Sequence, residues 1–257
     1  MLTRPWLKSL RQQLITMILL LLAWQLLAQF LQNPLLPGPL EVVMAIHSEW
    51  LKGDLSLHLG ATLQRVVITF TVAMLIGSMI GIIMGLYDGF NRLADPVLIL
   101  LLNIPALVII LLFYLWIGLS ETAAIIAVVI NKVPNVVITL RQGTQNLNPD
   151  YTDLAHVYRL NAWCRFKDLL LPQLAPYFLI AARSGLALIW KIVLVVELLG
   201  RSDGVGFQLH LAFQMFDVVT ILAYSLSFII IVQLVEWTIL QPLENHQQRW
   251  RRHPSTC

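Results

Sequence analysis

Six apolar stretches, each near the length that a helix needs to cross a membrane, dominate this 257-residue sequence. Such a helix takes about 20 residues. Because hydrocarbon offers the backbone no hydrogen-bond partners, a spanning segment of this kind must satisfy its own peptide groups as a helix. The sequence therefore predicts an all-α integral membrane protein with six transmembrane helices, at about residues 13–31, 61–87, 96–117, 121–141, 174–200 and 218–241.

Composition agrees with a single membrane domain. Hydrophobic residues make up 58% of the chain and charged residues 12%, which is too apolar for a soluble domain of this size. We expect residues 1–257 to form one transmembrane domain, with the first helix kept as an anchor because no small-residue cleavage site follows a short apolar core. Cys164 and Cys257 show neither pairing nor ligand spacing, so no metal or cofactor site is predicted.

The positions of the cations predict the orientation. Lysines and arginines near the span ends gather on the cytoplasmic side of membrane proteins. Lys52, Arg65 and Arg201 fall on one side of the predicted topology. The other side carries Arg4, Lys8, Arg11, Arg92, Arg141, Arg159, Arg165, Lys167, Arg249, Arg251 and Arg252. Both termini and the loop 142–173 are therefore predicted to be cytoplasmic.

Two local patterns add detail outside that loop. In the external connection 32–60, residues from Leu40 to Lys52 are expected to form an amphipathic helix that ends at Gly53. The second span carries glycines one helical turn apart, which allow two helix backbones to approach closely. We expect this face to pack within one subunit; its members are Gly77, Gly81 and Gly85.

A polar segment inside the cytoplasmic loop has the periodicity of a short amphipathic helix. Its apolar side consists of Leu154, Val157, Tyr158 and Leu160. The polar side chains Asp153, His156, Arg159 and Arg165 lie largely elsewhere. Asn161 is placed near a turn. The pattern is typical both of a helix that lies on lipid and of one that docks onto a partner.

Charged residues within the spans are the candidate functional residues. Each costs about 2.5–3.5 kcal/mol at the bilayer centre, so such side chains normally face protein or water. They are Lys132, Arg183, Lys191, Glu197 and Glu236, with Asn131 and Asn135 beside Lys132. The cations either line a translocation path or form structural ion pairs. If they line a path, their excess of positive charge favours an anionic solute.

The cytoplasmic segment resembles a known motif. Asp-x-Ala, a small-residue position four residues later and a distal aliphatic-x-Leu-Pro are similar to the "EAA" loop of binding-protein-dependent ABC transporter permeases. The matching positions are Asp153, Ala155, Arg159, Leu169, Leu171 and Pro172. Asp153 replaces the usual Glu, and Arg159 replaces the usual Gly. Without that Gly, a continuous helix or a changed turn is expected at 159.

Residues along nearly the whole chain resemble the nitrate, sulfonate and taurine branch of these permeases. They are Leu36–Pro39, Leu59–Arg65, Asp95–Pro96, Ile104–Ala106, Trp116–Gly118, Glu197–Gly200 and Gly204–Gly206. The glycine-rich turn at 200–206 also invites comparison with a phosphate-cradling loop. It follows a membrane helix rather than a strand, which disfavours that reading. In the family, this region is external and lies near the binding protein.

The resemblance implies a permease subunit of an ABC importer in a bacterial inner membrane, and not an enzyme. A P-loop motif is absent from the sequence, so ATP hydrolysis is expected on two partner ATPase subunits. A second permease copy, forming a homodimer, and an external solute-binding protein complete the implied assembly within the bilayer, without nucleic acid. The implied ATPase-docking residues are Asp153, Leu154, Ala155, Val157, Tyr158, Arg159 and Leu160; the candidate path residues are Asn131, Lys132, Asn135, Arg183, Lys191 and Glu197.

Two other functions remain as alternatives. One is an ion-coupled secondary carrier with Lys132 and Glu236 as its charge pair; six spans without an evident inverted repeat disfavour it. The other is an intramembrane enzyme using Glu197 or Glu236 with a histidine, and the spans lack a paired histidine signature for it.

Overall fold

The computed structural model describes residues 5–31, 33, 35–51, 53–148, 157–158 and 161–242 of the chain, and the regular elements in these ranges are all helical. The principal helices are α1 (Pro5–Leu31), α2 (Pro39–Leu51), α3 (Leu55–Leu86), α4 (Asp88–Asn103), α5 (Ala106–Ile117), α6 (Glu121–Gln145), α7 (Leu171–Gly200), α8 (Val205–Gln214) and α9 (Val218–Val235). Helix α7 is preceded by Ala162–Cys164 and the π-helical Arg165–Leu170; the π-helical Glu236–Leu240 follows α9.

Length and composition identify the spans. Within the described ranges, four helical stretches are long and apolar enough to cross a membrane: Leu55–Leu86, Glu121–Gln145, Arg165–Gly200 and Val218–Thr238. A fifth is added if α4 and α5 together count as one span, while the apolar part of α1, Ile15–Leu31, is shorter. Five spans at most are supported in this way, so the count of six stays a prediction. The helix predicted from Leu40 to Lys52 is confirmed as α2, while its external position stays a prediction.

The third predicted span, 96–117, is wrong as a single helix. Helices α4 and α5 meet at a bend of 94° between Asn103 and Ala106. Pro105 disfavours the helical conformation for the residue before it. Ile104 accordingly takes an extended conformation, with φ −74° and ψ 124°. A sliding count of apolar residues does not register such a break.

Helices α3 and α6 form the centre of the fold and are joined by close backbone packing. We call Gly77, Gly81 and Gly85 the glycine seam, because all three face α6. A Cβ atom at Gly81 would lie 2.7 Å from the carbonyl oxygen of Val137. The predicted packing of this glycine face within one subunit is confirmed. Helix α7 packs on the same α6, where Gly143 of α6 accommodates the ring of Tyr177.

The seam gives a matched pair of substitutions within one helix. Gly81→Ala is expected to destabilise the protein by about 1–3 kcal/mol, because the added methyl group meets backbone that has no free space to move into. Gly60→Ala is expected to stabilise α3 by about 0.5–1 kcal/mol, because nothing lies within 4 Å of its Cβ position. Thermal unfolding in detergent measures both. If Gly81→Ala and Gly60→Ala change the unfolding temperature equally, the close approach of α3 and α6 is contradicted.

Candidate functional site

A buried arginine organises one end of the helical assembly. Arg65 of α3 places its Nη1 atom 2.8 Å from Oε1 of Glu197 and its Nε atom 2.8 Å from Oε1 of Glu121. Its Nη2 atom lies 2.6 Å from Oδ1 of Asp203. Arg201 joins the group because its Nη2 atom lies 3.0 Å from Oε2 of Glu121. These five residues, the Arg65 cluster, tie α3, the start of α6 and the end of α7 together.

Glu197 is the most deeply buried member of the Arg65 cluster, with a side chain that is 0% exposed. Its second oxygen, Oε2, accepts hydrogen bonds from the hydroxyl of Thr62 and from the backbone N–H of Gly206, both at 2.9 Å. Gly206 lies in the first turn of α8, where a helix favours a negative charge. The carboxylate therefore fixes the start of α8 against α3 and α7.

The turn that leads into α8 has its backbone donors already engaged. The N–H groups of Gly204 and Val205 donate to Nδ1 of His58 at 3.0 Å and to Oγ1 of Thr62 at 2.8 Å. The N–H group of Gly206 donates to Glu197, so the backbone N–H groups of Gly204, Val205 and Gly206 are all engaged. They are not free to bind a phosphate. Gly204 has φ 104°, and a Cβ there would collide with the carboxyl group of Glu197.

A polar face of α7 is exposed on the protomer. Arg183, Ser184 and Lys191 are all exposed, and Lys191 lies about two helical turns after the adjacent pair Arg183 and Ser184, on the same side of the helix. Arg183 pairs through Nη2 with Oε1 of Glu236 at 2.9 Å. Lys191 has no ion-pair partner within the ranges that the structure describes. We call Arg183, Ser184 and Lys191 the α7 polar face.

Lys132 does not share that exposure. Only 1% of it is accessible, and its Nζ atom has no hydrogen-bond partner among the described residues. The Lys132–Glu236 charge pair considered for a secondary carrier does not form, because Nζ of Lys132 has no partner among the described residues and Glu236 binds Arg183 instead. The neighbouring Asn131 and Asn135 are half-buried.

The predicted docking segment falls largely outside the described residues, which exclude Asp153, Leu154, Ala155, Arg159 and Leu160. Val157 and Tyr158 are described and are 79% and 70% exposed. The turn predicted near Asn161 is confirmed: its Oδ1 atom accepts from the N–H groups of Trp163 and Cys164 at 2.8 and 3.0 Å, which caps the next helix. A helix therefore begins after Asn161, while the outcome expected at Arg159 falls outside the described residues.

Sequence reasoning missed the role of Arg65, which it counted only as a cation at a span edge. A usable signal was present. Arg65 lies four residues inside the start of the predicted span 61–87, and Glu197 lies three residues inside the end of the predicted span 174–200, on the same side of the predicted topology. Opposite charges at equal depth in neighbouring spans are expected to pair. Thr62 and His58, on the same face of α3 as Arg65, carried no signal of their own.

The comparison with known proteins identifies the family. Residues 59–239 match the family described as binding-protein-dependent transport system inner membrane component. The chain belongs to this family. It is thus a multi-pass inner-membrane permease subunit of an ABC transporter and a transport protein rather than an enzyme. The family implies ATPase and solute-binding-protein partners.

Named relatives of this permease fall in one branch. It is 27% identical over 216 residues to a protein of Bacillus subtilis named as an aliphatic sulfonates transport permease, SsuC, covering 84% of this chain and 78% of that one. The SsuC protein of Escherichia coli is 28% identical, with 72% and 71% of the two chains covered. The nitrate import permease NrtB of Synechococcus elongatus is 25% identical, with 79% and 76% covered. The resemblance to the nitrate and sulfonate branch is confirmed.

Proposed function

We propose that this permease forms the transmembrane path of an importer for a small anion of the nitrate or sulfonate type. The α7 polar face is the observation that carries the proposal. A cation facing lipid near the bilayer centre costs about 2.5–3.5 kcal/mol, so Arg183 and Lys191 are expected to face water or a second subunit. Val67 of α3 and Ile229 of α9, in contrast, are exposed apolar residues that suit lipid.

The proposed assembly follows from this face. Two copies of the permease would meet around a path to which each contributes its α7 polar face. Both termini and the loop 142–173 would lie in the cytoplasm, as the distribution of lysine and arginine favours. Two ATPase subunits would bind that loop through residues 153–160. ATP binding would open the path outward to receive solute from the external binding protein, and hydrolysis would reset it inward.

The candidate path residues take different parts in this proposal. Lys191 and Arg183 would contact the anion directly, with Glu236 moderating the charge of Arg183. Asn131 and Asn135 would contribute amide donors from α6. Glu197 is buried in the protomer, so it would shape the path by holding the start of α8 rather than by contacting solute.

Uptake into proteoliposomes containing the full transporter tests the proposal. Lys191→Gln is expected to lower nitrate or sulfonate uptake about tenfold or more, because a hydrogen bond to a charged group contributes roughly 1.5–3 kcal/mol. Lys191→Arg should retain most of the rate, since the charge is kept. Arg92→Gln is the matched control, because Arg92 is an exposed cation on α4, away from the α7 polar face. Full uptake by an assembled Lys191→Gln transporter would refute the proposed path.

A further inference from the structure

Lys132 is a buried cation without a visible counter-charge. It occupies the middle of α6, is 1% exposed, and its Nζ atom lacks a hydrogen-bond partner among the described residues. Buried polar groups in folded proteins are nearly always hydrogen-bonded, and an unpaired buried charge is more costly still. A group of this kind therefore needs an explanation beyond packing.

The protein does not supply the missing negative charge from its described spans. Glu197 is bound by Arg65, and Glu236 is bound by Arg183. At the ends of α6, Glu121 is bound by Arg65 and Arg201, and Arg141 is bound by Asp95 of α4. Each of these carboxylates already has a guanidinium partner, so none of the four is free to pair with Lys132, and an anion from outside the chain would supply the missing negative charge.

The surroundings of Lys132 leave space for its side chain at a glycine. Gly185 of α7 is buried, and a Cβ atom there would lie 3.1 Å from Cε of Lys132 and 3.8 Å from Cε2 of Phe70. Gly185 directly follows Ser184 of the α7 polar face. The lysine side chain therefore packs against α7 at the residue next to Ser184 of the α7 polar face, and the half-buried ring of Phe70 borders the same point.

We propose that Lys132 is the cationic group of an internal anion-binding site between α3, α6 and α7. Its ligand is a small monovalent anion, either the transported solute or chloride, which reaches the ammonium group from the path. Asn135, one turn further along α6, supplies an amide donor on the same side of the helix. The ligand's source rests on the proposed function, whereas binding at Lys132 is measurable without transport.

Thermal unfolding of the purified permease in detergent tests the site. Sodium nitrate and sodium chloride are each compared with sodium gluconate at equal ionic strength, so that general salt effects cancel. The parent is expected to gain about 2–4 °C from a small anion at tenfold excess over its dissociation constant. If nitrate raises the unfolding temperature more than chloride does, the ligand is the transported solute. If both raise it equally, the site binds any small anion. Either response in the parent supports anion binding.

Two variants locate that response. Lys132→Met is expected to lose the anion response and to unfold at a temperature equal to or above that of the parent in gluconate, because apolar replacement of a buried charge is often neutral or stabilising. Gly185→Ala keeps the charge but crowds Cε, so a weaker anion response is expected. Should Lys132→Met fail to fold, the Gly185→Ala response decides. An unchanged anion response in either folded variant, or no response in the parent, overturns the proposal.

The same measurements separate this site from the proposed function. Arg92→Gln changes an exposed cation on α4 that belongs to neither proposed site, so it should keep both the anion response of the purified subunit and uptake. If the parent permease transports anions but its unfolding temperature does not rise with nitrate or chloride, only the Lys132 site is refuted. A parent that responds to anions through Lys132 but does not transport them would refute the proposed function and leave the site standing.

Discussion

Arg65→Gln is expected to destabilise the permease by about 3–5 kcal/mol, which is the cost of leaving a buried charge without its partner. The substitution removes the guanidinium group that pairs with the fully buried Glu197. The same group also pairs with Asp203 and Glu121. Little folded protein should therefore survive extraction from the membrane. The yield and midpoint of thermal unfolding, followed by size-exclusion chromatography after heating, measure the effect.

Two further variants isolate the buried charge as the cause. Glu121→Gln changes a carboxylate that is 43% exposed and also bound by Arg201, so a loss of about 0–1 kcal/mol is expected. The double variant Arg65→Gln with Glu197→Gln removes both buried charges and should recover part of the loss. If Glu121→Gln is as damaging as Arg65→Gln, or if the double variant recovers nothing, burial of Glu197 is not the cause.

Val157→Asp is expected to abolish stable binding of the ATPase subunits. Val157 is 79% exposed on the isolated protomer, so the substitution should cost the permease itself little stability. Our proposal places this side chain in an interface, where an unpaired buried charge costs roughly 2–5 kcal/mol. That corresponds to a loss of affinity of at least about thirtyfold. Co-purification of the ATPase with tagged permease, together with solute-stimulated ATP hydrolysis, measures the result.

A matched change on the opposite side of the predicted topology serves as the control for Val157→Asp. Val43 of α2 is 59% exposed and lies in the connection that is predicted to be external. Val43→Asp should leave ATPase binding at the level of the parent. Normal ATPase binding by a folded Val157→Asp permease would remove the docking role from this segment and leave lipid contact as its function.

Apolar length predicted most of the helices, but the details depended on contacts that a local pattern does not contain. The helices α3, α6, α7 and α9 follow runs of apolar residues long enough to be recognised in the sequence. The break at Pro105 was hidden because the residues on both sides are equally apolar. Glycine spacing did predict that another helix of the same subunit packs closely against α3, but it did not identify α6 as that helix.

The candidate site was less predictable, because charges in a membrane protein acquire their meaning from their neighbours. Arg183, Lys191 and Lys132 look alike in the sequence, as cations within apolar helices. Folding leaves Arg183 paired with Glu236, Lys191 exposed and Lys132 buried without a partner among the described residues. These differences arise from which face of each helix is turned inward, which depends on packing between residues far apart in the chain.

The glycine seam also has a mechanical consequence. Along the seam only the side chains of α6 lie between the two helices, since the glycines of α3 contribute none, so α3 and α6 are expected to move together as one stiff unit. Helix α6 ends at Gln145, beside the loop that we assign to ATPase docking, and begins at Glu121, roughly 36 Å away at 1.5 Å per residue. Glu121 belongs to the Arg65 cluster, which holds α7 and the start of α8. A push at the docking loop would therefore arrive at the far end of the protein with little loss of amplitude.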